Sequence, residues 1–134
     1  EAWDIEHRTS GLRLEVKQSA ALQTWQGAET RSPPSFDIAP REWQYIGTKA
    51  VKVEPPRRLA DIYIFAWHGN NSERCDHRDA NQWEFLVVST HDLPSAQKTI
   101  TRRSLVSKFK SNAWIVWGDL AATVDRAVQA AQRV

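Results

Sequence analysis

Methionine is absent from all 134 residues, and cysteine occurs once, at Cys75. A chain without methionine does not begin at its own start codon, so further residues are expected upstream of Glu1. One cysteine excludes an internal disulfide framework and suits a reducing compartment, which makes the cytoplasm the expected location. No apolar run approaches the roughly 20 residues needed to cross a bilayer, and no apolar signal segment opens the chain. Membrane-spanning and disulfide-scaffold classes are therefore set aside. Glycine is sparse, with five residues, and none of them builds a loop of the kind that cradles nucleotide phosphates. Internal repeats and low-complexity tracts are also lacking.

What remains has a globular balance, with 41% hydrophobic and 25% charged residues. At this length a single domain over residues 1–134, with a substantial core, is expected. Seven tryptophans are many for such a chain. Trp67, Trp83, Trp114 and Trp117 fall on expected strands and read as core. Trp25 and Trp43 fall in less regular segments; stacking on a base or lining a cleft is open to them, with core packing or loop anchoring the favoured reading.

The pattern along the chain predicts a mixed α/β domain. Asp61 to Trp67 is apolar on both faces, the mark of a central strand covered on each side. Trp83 to Ser89, Phe36 to Ala39 and Ala113 to Trp117 read as further strands. Ser19 to Gln26 reads as a short helix or folded loop with Ser19 as its cap. Pro40 to Pro56 is polar and reads as irregular, Gly69 to Ala80 as a polar loop, and Asp92-Leu93-Pro94 as a turn or short helix. Ser104 to Lys110 is expected to be helical. Asp119 is expected to cap a last helix running through Gln132, with Leu120, Val124, Ala127 and Val128 on one face.

The residues with most chemical content lie at the start. Leu12, Leu14 and Val16 alternate with Arg13, Glu15 and Lys17, the period of a strand with one wet and one dry face. Trp3-Asp4-Ile5-Glu6 alternates likewise, and Thr9-Ser10-Gly11 between them signals a turn, so the two runs read as a hairpin. A Thr9-Ser10 loop sets Ile5 against Leu14 and Asp4 against Glu15. A Ser10-Gly11 loop sets Asp4 against Lys17 and Glu6 against Glu15. Either register gathers Asp4, Glu6, Glu15 and Lys17 on the face opposite the leucines. Like charges placed opposite each other destabilise a sheet, and a cation between them would remove that penalty. Carboxylate oxygens are the ligands Mg²⁺ prefers, and its retained waters can act as nucleophiles. Glu15 and Lys17 project the same way, roughly 6–7 Å apart at their α-carbons. A lysine there can handle the proton of an attacking water or stabilise charge on a phosphate. The plainer reading is a solvated face carrying a surface ion pair worth little.

Asp4, the Gly11 turn and Leu14-Glu15-Val16-Lys17-Gln18-Ser19 together resemble the core motif of the PD-(D/E)xK nuclease superfamily, which has the restriction-endonuclease-like fold. Most of the chain shares in the likeness. Ala21 to Trp25, Ser35 to Ile38, Arg58 to Phe65 and Gln82 to Val88 resemble small bacterial members of uncharacterised function. Trp3 stands where the superfamily has a proline, and the helix that normally precedes the first strand would lie upstream of Glu1. The resemblance implies a mixed central sheet flanked by helices. It also implies Mg²⁺, or Mn²⁺ in its place, on Asp4 and Glu15, with Lys17 as base or charge stabiliser and Gln18 as a positioning residue. The implied reaction is hydrolysis of phosphodiester bonds in nucleic acid, DNA before RNA, and a homodimer cutting both strands is compatible with it. The competing class is the same fold serving as a non-catalytic module that binds nucleic acid or a protein.

A net charge of +2 gives little long-range steering, so a polyanion would be held by a local patch. Lys49, Lys52, Arg57 and Arg58 form the preferred group, expected in a loop beside the central strand; Arg102, Arg103, Lys108 and Lys110 form a second. Solvated surface is the default for both. Cys75-Asp76-His77-Arg78-Asp79, with His68 nearby, contains metal-ligand types. A lone cysteine in a polar loop, without a second thiol or a clear fourth ligand, argues against zinc there. A nucleophilic Cys75–His77 pair is disfavoured because sequence neighbours rarely have the geometry for activation. His7 and His91 read as strand-end residues.

Overall fold

The computed structural model describes residues 3–21, 33–110 and 113–132. It is mixed α/β. A five-stranded sheet runs in the order β1 (Ile5–Glu6), β2 (Arg13–Ala20), β6 (Ile62–His68), β7 (Trp83–Ser89), β9 (Ile115–Val116). Two ribbons accompany it, β3 (Ser35–Asp37) with β8 (Thr99–Thr101), and β4 (Arg41–Ile46) with β5 (Lys49–Arg57). The helices are α1 (Arg102–Phe109) and α2 (Trp117–Gln132). Among the described residues no helix is long and apolar enough to cross a membrane.

Strand β6 is the axis of the fold. Each of its seven residues is buried, as expected from apolar side chains on both faces. It pairs in parallel with β2 and antiparallel with β7. On one face Tyr63, Phe65, Leu86 and Val88 pack with Phe36, Ile38, Ile100 and Leu105 from the β3–β8 ribbon and α1. On the other face Leu14, Ile62, Ile64, Ala66 and Phe85 meet Leu120, Val124 and Val128 of α2. The predicted apolar face of α2 is thus the buried one.

The N-terminal hairpin has the first of the two expected registers, Ile5 with Leu14 and Glu6 with Arg13. Its connection is longer than the two residues Thr9-Ser10. The His7 amide donates to the Leu12 carbonyl at 2.7 Å and the Gly11 amide to the His7 carbonyl at 2.8 Å. The chain can close this way because Gly11 takes φ of +73°, which a residue without Cβ adopts freely.

Four sequence expectations are corrected. Ser19 and Ala20 continue β2 instead of capping a helix, because the parallel ladder to Trp67 and His68 extends over them; residues 22–26, with Trp25, lie outside the described residues. Pro40 to Pro56 is mostly the β4–β5 hairpin, turned at Gly47-Thr48 with Gly47 at φ +65°. Val53 from this hairpin is buried with Leu59 against Trp3. Helix α2 starts at Trp117, so Asp119 lies within its first turn, where a carboxylate still favours the positive end of the helix dipole. Trp117 is accordingly 53% exposed and not core.

Arg58 is the clearest change of role. Its Nε donates to the Ile38 carbonyl at 2.7 Å, and Nη2 donates to the carbonyls of Pro94 and Gln97 at 2.6 and 2.8 Å. The guanidinium is a strut between three backbone segments and is not free for phosphate. Charged hydrogen bonds of this type are each worth about 1.5–3 kcal/mol. Arg58→Ala is therefore expected to lower unfolding free energy by at least that amount in a urea titration. Arg102 is likewise occupied, stacked over Trp67 at 4.7 Å and paired with Glu84 at 3.6 Å.

Candidate functional site

Glu15 and Lys17 stand on the face of β2 that turns toward the β3–β8 ribbon, beside Tyr63 and Phe65 of β6 in the ladder. Glu15 is only 5% exposed. Its Oε1 receives the Lys17 Nζ at 3.1 Å and the Arg41 Nη2 at 3.3 Å. Two cations on one buried carboxylate form a different object from the exposed ion pair of the plain reading, because little water screens them. Arg41 arrives from the first residue of β4.

Asp4 is exposed, in a bend just before β1. Its amide donates to the Leu14 carbonyl at 3.0 Å, and its Oδ2 accepts the Val16 amide at 2.8 Å. That amide is the peptide group between Glu15 and Val16. The aspartate is therefore clipped to the backbone between Glu15 and Lys17, across the hairpin. Gln18, one residue past Lys17, points by the strand alternation to the opposite face, with Val16. It is separated from the other three.

A cleft of about 390 Å³ opens in front of Lys17, walled by Lys17, Asp37, Arg41, Trp43, Tyr63 and Lys98. With Glu42 also in the wall, three cations, two carboxylates and two aromatic rings make it polar, with an excess of one positive charge. Trp43, on β4, is 55% exposed and serves as cleft wall and not as core. Lys49, Lys52 and Arg57 lie on β5, in the same hairpin; Lys52 is held by Glu54 at 3.1 Å.

Tyr63 has its phenol pKa raised above the ordinary 10.0, first by burial and then by the Glu15 carboxylate, with Arg58 and Arg41 opposing. A raised acid pKa means that the folded state prefers the protonated phenol. This contribution to stability is complete below about pH 10 and is lost as pH climbs through the folded-state value. Ultraviolet titration of Tyr45→Phe, which leaves Tyr63 as the one tyrosine, is expected to show ionisation later than in the unfolded chain.

A second group lies at the far end of β6. Donor atoms of His68, Cys75 and His77 all fall within 4.8 Å of one another, an arrangement that can hold a metal ion. Among the described residues it is the one cluster of three or more such ligands.

No family model, curated protein or solved structure matches the chain. The sites thus stand on their own geometry.

Sequence reasoning brought Asp4, Glu15 and Lys17 together but missed Asp37, Arg41, Tyr63 and Lys98. The alternation of Trp43, Tyr45 and the Gly47-Thr48 turn was an available sign that Arg41 begins a strand. Tyr63 and Glu15 share a face only once the parallel β2–β6 register is known.

Proposed function

We propose that this chain is a metal-dependent phosphodiesterase of restriction-endonuclease-like architecture acting on nucleic acid, DNA first. The observation that carries the reading is the Asp4 carboxylate bonded to the amide between Glu15 and Lys17. It supports an acidic side chain held beside the Glu15–Lys17 segment of β2, whose Lys17 lines the cleft.

The donor set fits a hard cation. The Glu15 ion pairs engage Oε1 and the Val16 amide engages Asp4 Oδ2, and Mg²⁺ commonly uses one or two carboxylates with waters and substrate phosphate completing the shell. Asp4 and Glu15 would hold Mg²⁺ or Mn²⁺, which when bound supplies a polarised phosphate and a more acidic water. Lys17 lines the cleft as a cation, where it can stabilise charge on a phosphate oxygen. Arg41 and Lys98 suit phosphate contact, Arg41 with a planar fork and Lys98 as a point charge. Trp43 offers a ring face to a base. Gln18 has no part on this face.

Incubation of plasmid, linear and single-stranded DNA with Mg²⁺ or Mn²⁺ is expected to give cleavage that chelator stops and Asp4→Asn abolishes. Absence of metal-dependent cleavage by the protein would remove the proposal. A second reading, a non-catalytic binding module, is favoured by the Arg41–Glu15 ion pair, which neutralises the carboxylate from within. Calorimetry separates the two, because the module would take up no Mg²⁺ or Mn²⁺ dependent on Asp4 and Glu15.

A further inference from the structure

We infer that His68, Cys75 and His77 form a binding site for a thiophilic d-block cation, Zn²⁺ foremost, independent of the carboxylate site. The sequence alone argued against zinc in this loop for want of ligands. What the fold adds is convergence of the three types already noted: His68 is the last residue of β6, and the following loop returns Cys75 and His77 to it.

The first support is spacing. Cys75 Sγ lies 3.9 Å from His68 Nδ1. Zn–N and Zn–S bonds of roughly 2.1 and 2.3 Å at a tetrahedral angle place such atoms about 3.6 Å apart. A few tenths of an ångström separate the two arrangements.

The second support is the tautomer of His68, which is fully buried. The Gln82 side chain is oriented by backbone on both sides, its Oε1 accepting the Asp76 amide at 2.8 Å and its Nε2 donating to the Arg74 carbonyl at 3.0 Å. That same Oε1 faces His68 Nε2 at 2.9 Å, and the Asp76 carbonyl lies 3.2 Å from it. Both neighbours are acceptors, so Nε2 carries the proton. Nδ1 is left with its lone pair directed at the sulfur. A ligating histidine typically has this arrangement, one nitrogen anchored through its proton and the other free for metal.

The third support is His77. Its Nε2 is buried and has no hydrogen-bond partner among the described residues, a costly state for a polar atom. The ring is held edge-on to His68, with centroids 4.6 Å apart, and the Trp83 indole donates to the His77 carbonyl at 3.0 Å. His77 thus has a ring nitrogen that no described group engages, and it is one of the three residues whose donor atoms converge.

One thiolate and two imidazoles select zinc, cobalt or copper over magnesium. Nearby acids are engaged elsewhere: Asp76 Oδ1 accepts from the Arg78 amide and Nε, and Asp79 Oδ1 from the Asn81 amide. Three protein ligands leave a fourth position for water or an exogenous ligand, the pattern of reactive and not closed zinc centres.

The test is titration of the metal-depleted protein with Zn²⁺ by calorimetry and with Co²⁺ by absorption. One ion per chain and a thiolate-to-cobalt band in the near ultraviolet are expected. Cys75→Ser should erase the band and weaken Zn²⁺ at least tenfold, and Gln82→Ala, which releases His68, should cost about 10–100-fold. Asp4→Asn with Glu15→Gln should bind Zn²⁺ like the parent, so the nuclease reading and this one fail separately. Circular dichroism of each metal-free variant confirms that it is folded. No cobalt band in the parent, or equal Zn²⁺ uptake by Cys75→Ser combined with His77→Ala, would overturn the assignment.

Discussion

Lys17→Ala is expected to slow metal-dependent cleavage by about 10²–10³-fold, the range one positioned electrostatic stabiliser contributes, with the protein still folded. Folding should survive because Glu15 keeps its second cation, Arg41 at 3.3 Å, and is not left as a buried charge alone. Binding should change less than rate, since Arg41 and Lys98 remain in the cleft wall. Single-turnover cleavage of a labelled duplex, read beside its equilibrium binding, separates the two effects. Arg41→Ala should show the reverse balance, with weaker binding to every sequence and a shallower salt dependence by about one phosphate contact. A Lys17→Ala protein that cleaves at the parent rate would end the proposed role for the lysine.

Phe65→Ala is expected to have the largest effect on stability, a loss of about 3–5 kcal/mol. Phe65 is 0% exposed on the central strand. Its ring meets Phe36 edge-on at 5.0 Å and stacks with Tyr63 at 5.8 Å. Truncation removes one of the contacts that join the sheet to the β3–β8 ribbon and leaves a cavity in that core. Since domains are held by only about 5–15 kcal/mol in total, much of the population would be unfolded under mild denaturant. A urea midpoint shifted by less than about 1 kcal/mol equivalent, well below the usual cost of such a truncation, would mean that the ribbon does not pack on the sheet as described.

The elements legible in the sequence are those whose burial is periodic. The unbroken apolar run Ile62 to Trp67 announced a doubly covered strand, and the Leu120, Val124, Val128 spacing announced the inner face of α2. The acidic and basic alternation of Arg13 to Lys17 carried the hairpin and narrowed its register to two, of which the structure has the first. The β4–β5 hairpin was hidden because both strands are mostly exposed, so their outward residues follow no burial rhythm and Pro55 and Pro56 argue against a strand. Arg58 looked like a surface cation since only tertiary structure brings three carbonyls to it. His68, Cys75 and His77 were visible as ligand types, and zinc was disfavoured there because their convergence was not visible, for a similar reason. These residues lie on a strand end and a loop, and the glutamine that orients one of them is a further turn away at Gln82.

The bond from Asp4 to the Val16 amide has a consequence for how variants of this protein behave. Among the described residues strand β1 pairs with β2 only at Ile5 and Glu6, and beyond them the Asp4 side chain fills a hydrogen-bonding slot of β2 that a strand backbone would otherwise take. An asparagine there keeps an oxygen for the slot while discarding the charge; an alanine leaves the slot vacant for a strand from another molecule. Self-association of the alanine form would then masquerade as a chemical defect, and only the asparagine form reports on chemistry.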